Sequence, residues 1–204
     1  VLGLVVLTNI FLRIRYNLNL SEANELWYRI VIQGGNYASM MKFIPLLAGI
    51  GIAIAQYFPE TINQRIKLTF HLPIRENKVL LIQHSYGFAC LTGVFLVFIL
   101  FFYIGSSLYF PREIIQMTLV TILPWFVGGV ATYSLVALIL LEPLWLYRIL
   151  YAIVSYGFIS QFYIRAVPMA YIPVLAWLIM FSVLLLIVVL FSGYRFRKGE
   201  MHHG

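Results

Sequence analysis

The side chains best suited to chemistry or partner binding lie in a polar segment, residues 60–78, between two long uncharged stretches of the chain. An apolar side is given to its first part by Ile62, Ile66, Leu68 and Phe70. Pro73 is expected to end the short helix predicted there. A rigid helix held by a membrane span on each side can act as a lever, because pushing it moves both spans. The alternative is an ordinary solvated loop. The residues predicted to contact a partner are Glu60, Thr61, Arg65, Lys67, Pro73, Arg75, Glu76 and Lys78.

His84 is the only histidine inside an uncharged stretch. A haem held by two histidines needs a second histidine at membrane depth, but His71 lies in the polar segment and the other two lie in the tail. The sequence therefore favours a hydrogen bond from His84 to another helix. A haem shared between two chains is the alternative.

Three further charged residues flank the later uncharged stretches. Glu142 follows the fourth stretch, where it could pair with Arg148 or contact a partner subunit. Arg165 precedes the last stretch and is either a gate residue or a snorkelling anchor. We interpret all three as possible gate or interface residues.

The motifs of several enzyme classes are missing from the sequence. It has no Gly-rich phosphate loop ending in Gly-Lys-Ser/Thr, no His-Glu-x-x-His and no Gly-x-Ser-x-Gly. Its single cysteine, Cys90, excludes a disulfide within one chain. We therefore expect no catalytic residue, no metal site and no cofactor in this chain.

The composition indicates a membrane protein. Of the 204 residues, 62% are hydrophobic and 10% are charged, whereas a soluble domain carries about 25% charged residues. The net charge of +7 is explained by basic residues that flank spans and meet lipid head groups. Membrane lipids are thus expected partners, and nucleic-acid binding is excluded because no soluble basic face exists to carry it.

The spacing of uncharged stretches predicts an all-α fold, a single polytopic transmembrane bundle of about six spans. Residues 1–12 are too short to span and are interpreted as the end of a first helix whose beginning is missing. The glycines of Gly49-x-Gly51 and Gly128-Gly129 are expected to let helices approach closely. The predicted units are partial span 1 (1–12), an outer loop (13–41), span 2 (43–59), the polar segment (60–78), span 3 (79–104), span 4 (117–141), a short or re-entrant span 5 (149–164), span 6 (166–194) and a tail (195–204).

Basic clusters set the expected orientation. Lysines and arginines concentrate within residues 65–78 and 195–198, close to span ends. The positive-inside rule then places the polar segment and the tail in the cytoplasm.

The polar segment also resembles the cytoplasmic signature of type-two ABC transporter permeases. In that family an acidic residue and a threonine follow the second span, as Glu60 and Thr61 do here. A leucine-rich stretch then ends in proline, followed by an apolar residue, a polar or basic pair and a lysine that opens the third span. The run Leu68-Thr-Phe-His-Leu-Pro-Ile-Arg-Glu-Asn-Lys78 is similar to this pattern.

The resemblance implies a permease subunit of an ATP-driven exporter in a bacterial-type cytoplasmic (inner) membrane. Two copies, or one copy and a paralogue, would form the pathway. Separate ATP-binding cassette subunits, which carry the ATP and magnesium, would dock on residues 60–78 as on a coupling helix. The alternative function is a non-transporting anchor or accessory subunit of a larger membrane complex.

Overall fold

The computed structural model describes residues 2–19, 28–62, 76–164 and 169–198, and all regular secondary structure within them is helical. Three short helical turns, Tyr28–Ile32, Ser39–Lys42 and Gln161–Tyr163, lie between the longer elements. The six α-helices are α1 (Leu2–Asn19), α2 (Phe43–Ile62), α3 (Glu76–Ser107), α4 (Arg112–Leu141), α5 (Trp145–Ser160) and α6 (Ile172–Lys198).

Three segments within this part of the chain are long and apolar enough to cross a membrane: Ser39–Pro59, Lys78–Ser107 and Arg112–Leu141. A shorter apolar helical stretch covers Ile172–Val188. The 32 residues of α3 rise about 48 Å, more than the hydrocarbon thickness of about 30 Å. These three helices fit an integral membrane protein.

The helices extend past the uncharged stretches from which they were predicted. α1 continues to Asn19 through residues assigned to a loop, and α2 runs to Ile62, inside the polar segment. α3 begins at Glu76, before the end of that segment. Charged residues do not stop a helix, because long side chains at its ends can reach water; Arg13 and Arg15 are both exposed on α1.

Helix α4 occupies the centre of the bundle. It packs against α2, α3, α5 and α6. In its most apolar window 72% of the residues are buried, against 28% and 22% in the other two candidate spans. The helices around α4 therefore keep one face against it and present the other outward.

The closest approach to α4 is made by α2. A Cβ atom added to Gly49 would collide with the backbone carbonyl oxygen of Gly129, and one added to Gly129 would lie 2.6 Å from the carbonyl oxygen of Pro45. The obstacles are backbone atoms, which cannot rotate away. Gly51 differs, since nothing lies within 4 Å of its added Cβ. The expected close approach is thus confirmed for Gly49 and Gly129 and wrong for Gly51.

This difference gives a matched pair of substitutions on one helix. Gly49→Ala should destabilise the folded chain by about 1–3 kcal/mol, because the added methyl group forces α2 and α4 apart. Gly51→Ala should be neutral or slightly stabilising, since alanine favours helix more than glycine does. Thermal unfolding of both variants in the same detergent tests this expectation. Equal shifts of the two midpoints would show that α2 does not cross α4 at Gly49.

Candidate functional site

Polar side chains from three helices meet inside the apolar bundle. Tyr57 comes from α2, His84 from α3, and Tyr133 and Ser134 from α4; each is at most 4% exposed. Gln56 of α2 joins them at the edge. We call these five residues the polar cluster.

His84 is held through both nitrogens of its ring. The Tyr57 hydroxyl lies 2.8 Å from Nδ1, and Ser134 Oγ lies 3.4 Å from Nε2. The donor and acceptor roles in these contacts depend on the tautomer of the ring. In the tautomer protonated at Nε2, Tyr57 donates to Nδ1 and Nε2 donates to Ser134. Ser134 can then donate to the Val130 carbonyl, 3.4 Å away in its own helix.

A second set of bonds runs beside the first. The Tyr133 hydroxyl donates to Gln56 Oε1 at 2.8 Å, and Gln56 Nε2 donates to the Gln83 carbonyl at 2.5 Å. The Tyr133 ring stacks on the His84 imidazole, with centroids 4.8 Å apart and an interplanar angle of 22°. Gly87 makes room for the hydrogen bond between Tyr133 and Gln56, since a Cβ atom there would collide with Gln56 Oε1 and the Tyr133 hydroxyl.

These contacts favour a structural role for His84 over metal binding. Both ring nitrogens are engaged, so a bond to haem iron would displace Tyr57 or Ser134. In the part of the chain that the structure describes, no three His, Cys, Asp or Glu residues are grouped to hold a metal ion. Within an apolar interior each satisfied bond also fixes which side chains face one another. The polar cluster therefore holds α2, α3 and α4 in one register.

The polar cluster lies just inside the two ends of the polar segment. Tyr57 is five residues before Ile62, the last described residue of α2, and His84 is eight residues after Glu76, the first residue of α3. At 1.5 Å per residue these separations are about 8 and 12 Å along the helix axes. We call this end of the bundle, where α2 and α4 stop and α3 starts, the polar-segment end.

The predicted partner-binding residues are only partly within the described chain. Glu60 and Thr61 lie in the last turn of α2, and Glu76 and Lys78 lie in the first turn of α3. Thr61 Oγ1 is 3.0 Å from the carbonyl oxygens of both Tyr57 and Phe58, and the Lys78 side chain is exposed. Arg65, Lys67, Pro73 and Arg75 lie outside the described residues.

The structure brings Glu142 and Arg148 together at the polar-segment end. Arg148 Nε donates to the backbone carbonyl oxygen of Glu142 at 2.6 Å. The Arg148 guanidinium also lies over the Trp145 ring, 5.8 Å from its centroid, a distance at which a cation is attracted to the ring face. The Glu142 side chain is wholly buried. Arg148 thus fixes the connection between α4 and α5 through a main-chain bond.

Arg165 lies outside the described residues, but the chain on both sides of it packs against α4. The Tyr163 hydroxyl donates to the Trp125 carbonyl at 3.1 Å, and the Met169 amide donates to Thr121 Oγ1 at 3.3 Å. The α5–α6 connection therefore meets α4 at the level of residues 121–125.

His84 was predicted from the sequence to bond another helix, but its partners were not predicted. A signal for them was present: each of the three helices contains a pair of adjacent polar residues within an apolar run. The pairs are Gln56-Tyr57, Gln83-His84 and Tyr133-Ser134. Polar side chains inside apolar helices are used to bond helices to one another, so these pairs indicate which side chains could bond between helices, although the sequence does not fix which of them meet.

No protein-family model matches the sequence, and no curated protein or solved structure matches it.

A double-mutant cycle measures the bond between Tyr57 and His84. Tyr57→Phe, His84→Leu and the double variant should show a coupling energy of about 0.6 kcal/mol and at most about 1.7 kcal/mol, the average and the maximum found for hydrogen bonds between membrane helices. Unfolding in mixed micelles provides the free energies. Tyr86→Phe is the control, because Tyr86 is 70% exposed on α3 and should show no coupling to Tyr57. Additive effects of Tyr57→Phe and His84→Leu would contradict the bond.

Proposed function

We propose that this chain is the membrane-spanning subunit of an ATP-driven exporter of the type-two ABC permease kind. In this proposal it crosses a bacterial-type cytoplasmic membrane about six times and forms the pathway with a second copy or a paralogue. Residues 60–78 act as the coupling segment for separate ATP-binding subunits. The resemblance of residues 60–78 to the permease signature and the three long apolar helices support this proposal.

The position of the polar cluster is the observation that carries the mechanical part of the proposal. A segment works as a lever only if the helices at its two ends respond together. Here the bonds from His84 to Tyr57 and Ser134 link α2, α3 and α4 within about 12 Å of the segment's ends. A push on residues 63–75 would then move three helices as a unit. Closure of the ATP-binding subunits would supply that push, and the membrane helices would change packing between two states.

Co-purification tests the partnership directly. The tagged full chain is extracted from its native membrane in mild detergent, and its partners are identified by mass spectrometry. An ATP-binding subunit with a Gly-x-x-x-x-Gly-Lys-Ser/Thr loop supports the proposal. Redox or secretion subunits in its place would instead identify the chain as an accessory subunit of another complex.

Charge reversal at the coupling segment tests its role. Arg65→Glu should abolish most of the stimulation of ATP hydrolysis that the membrane subunit gives its partner, a loss of about fivefold or more, typical of coupling between sites. Pro73→Leu should act in the same direction. The assay is ATPase activity of the purified complex in proteoliposomes, compared with the isolated ATP-binding subunit.

The matched control for this experiment is Arg112→Glu. Arg112 is exposed at the start of α4, at the opposite end of the bundle from residues 60–78, so its reversal should leave stimulated hydrolysis unchanged. Full stimulation in the Arg65→Glu complex would refute the coupling role of the segment.

A further inference from the structure

The outward face of α1 carries a groove that the proposed transport function does not use. Its volume is about 630 Å³. It is lined by three polar side chains and three apolar ones: Asn9, Arg13 and Tyr16, with Val6, Leu12 and Met40.

The three polar side chains lie on one face of the helix. Asn9, Arg13 and Tyr16 are spaced by four and three residues, which places them one above another along α1. All three are exposed. Asn9 Nδ2 donates to the Val5 carbonyl at 2.9 Å, which fixes the amide against the helix. Among the described residues no acidic side chain forms an ion pair with Arg13.

The contacts of α1 with α3 give the depth of this groove in the bundle. An added Cβ on Gly3 would lie 3.1 Å from the Phe98 ring, and one on Gly105 would collide with the Phe11 ring. α1 therefore runs parallel to α3, and Arg13 lies near the level at which α3 ends, at Ser107. Val6 is seven residues earlier, about 10 Å deeper.

Along α1 the groove thus passes from Tyr16 and Arg13 at the membrane boundary, past Leu12, to the amide of Asn9 and then to Val6, its deepest residue on this helix. A phospholipid has the same order of chemistry: phosphate, ester-linked glycerol, then hydrocarbon. We propose that this groove is a binding site for an anionic phospholipid. The phosphate contacts Arg13 and Tyr16, the ester region lies between Leu12 and Asn9, and one acyl chain passes Val6 and Met40.

The charges around the groove favour an anionic ligand over a zwitterionic one. Among the side chains whose burial the structure describes, this end of the bundle is basic, because the cations Arg13, Arg15, Lys42 and Arg112 lie there with the single acid Glu113. Juxtamembrane cations attract anionic lipid head groups. The site requires only that α1 lies in a bilayer and does not depend on transport.

Lipid retention tests the proposal. The full chain, with any subunits that co-purify, is reconstituted in nanodiscs containing equal amounts of phosphatidylglycerol and phosphatidylcholine. Native mass spectrometry then counts the lipids that stay bound after release. The wild-type chain should retain phosphatidylglycerol in preference, and Arg13→Gln should reduce that preference roughly tenfold, because Arg13 is the cation that lines the groove and its charge-assisted bonds to the head group are lost. Arg13→Lys should retain most of it.

Arg15→Gln is the matched control. Arg15 is exposed on the same helix and carries the same charge, but it does not line the groove. Equal losses in Arg13→Gln and Arg15→Gln would indicate diffuse attraction and overturn the site. Equal retention of phosphatidylcholine by the wild type, or displacement of the lipid by excess inorganic phosphate, would overturn it as well.

A second measurement needs no variant. Phosphatidylglycerol with a photoreactive group in its acyl chain should cross-link to the wild-type chain within residues 6–16 or at Met40. Cross-links found only on other helices would place the bound lipid elsewhere and refute the proposal.

Discussion

The crossing of α2 and α4 at Gly49 and Gly129 is the contact on which the rest of the bundle depends, because four helices pack against α4. Between helices in lipid the hydrophobic effect gives little attraction, and association relies on van der Waals contact and interhelical hydrogen bonds. Small residues at the crossing allow both. They bring the backbones together, and they set the distance at which side chains one or two turns further along can bond. Tyr133 follows Gly129 by one turn and reaches Gln56 of α2.

The polar cluster turns this close packing into a defined register. The apolar surroundings offer these side chains no water to bond, so they bond to one another. Sliding one helix past another would therefore leave a buried polar group unpaired. A rearrangement that keeps the polar cluster intact must therefore move α2, α3 and α4 together. In the proposed exporter this rigidity is useful, since a coupling segment joined to two independently moving helices would lose its leverage within the first turns of the bundle.

The sequence predicts the existence of the helices far better than their contacts. Long uncharged runs identify α2, α3 and α4, because lipid excludes charge from such a length of chain. Helix ends are predicted less accurately: α1 continues past Arg13 to Asn19, since an arginine near a membrane boundary can be exposed without ending a helix. The partners of His84 depend on how helices distant in sequence cross, and one chain's pattern does not fix that crossing. Gly49 and Gly51 show the same limit, because they look alike in sequence and only Gly49 meets a neighbour.

Helix α4 is also the element that connects the two ends of the bundle. At the polar-segment end it is bonded to α2 and α3 through Tyr133 and Ser134, and at the level of residues 121–125 it carries the α5–α6 connection. Its single proline, Pro124, lies at this second site. Proline removes one backbone hydrogen bond and weakens the helix where it sits. If the proposed exporter tilts α4 from the polar-segment end, we expect the helix to bend at Pro124, where the α5–α6 connection packs, so that α5 and α6 would change their packing while the polar cluster stays intact.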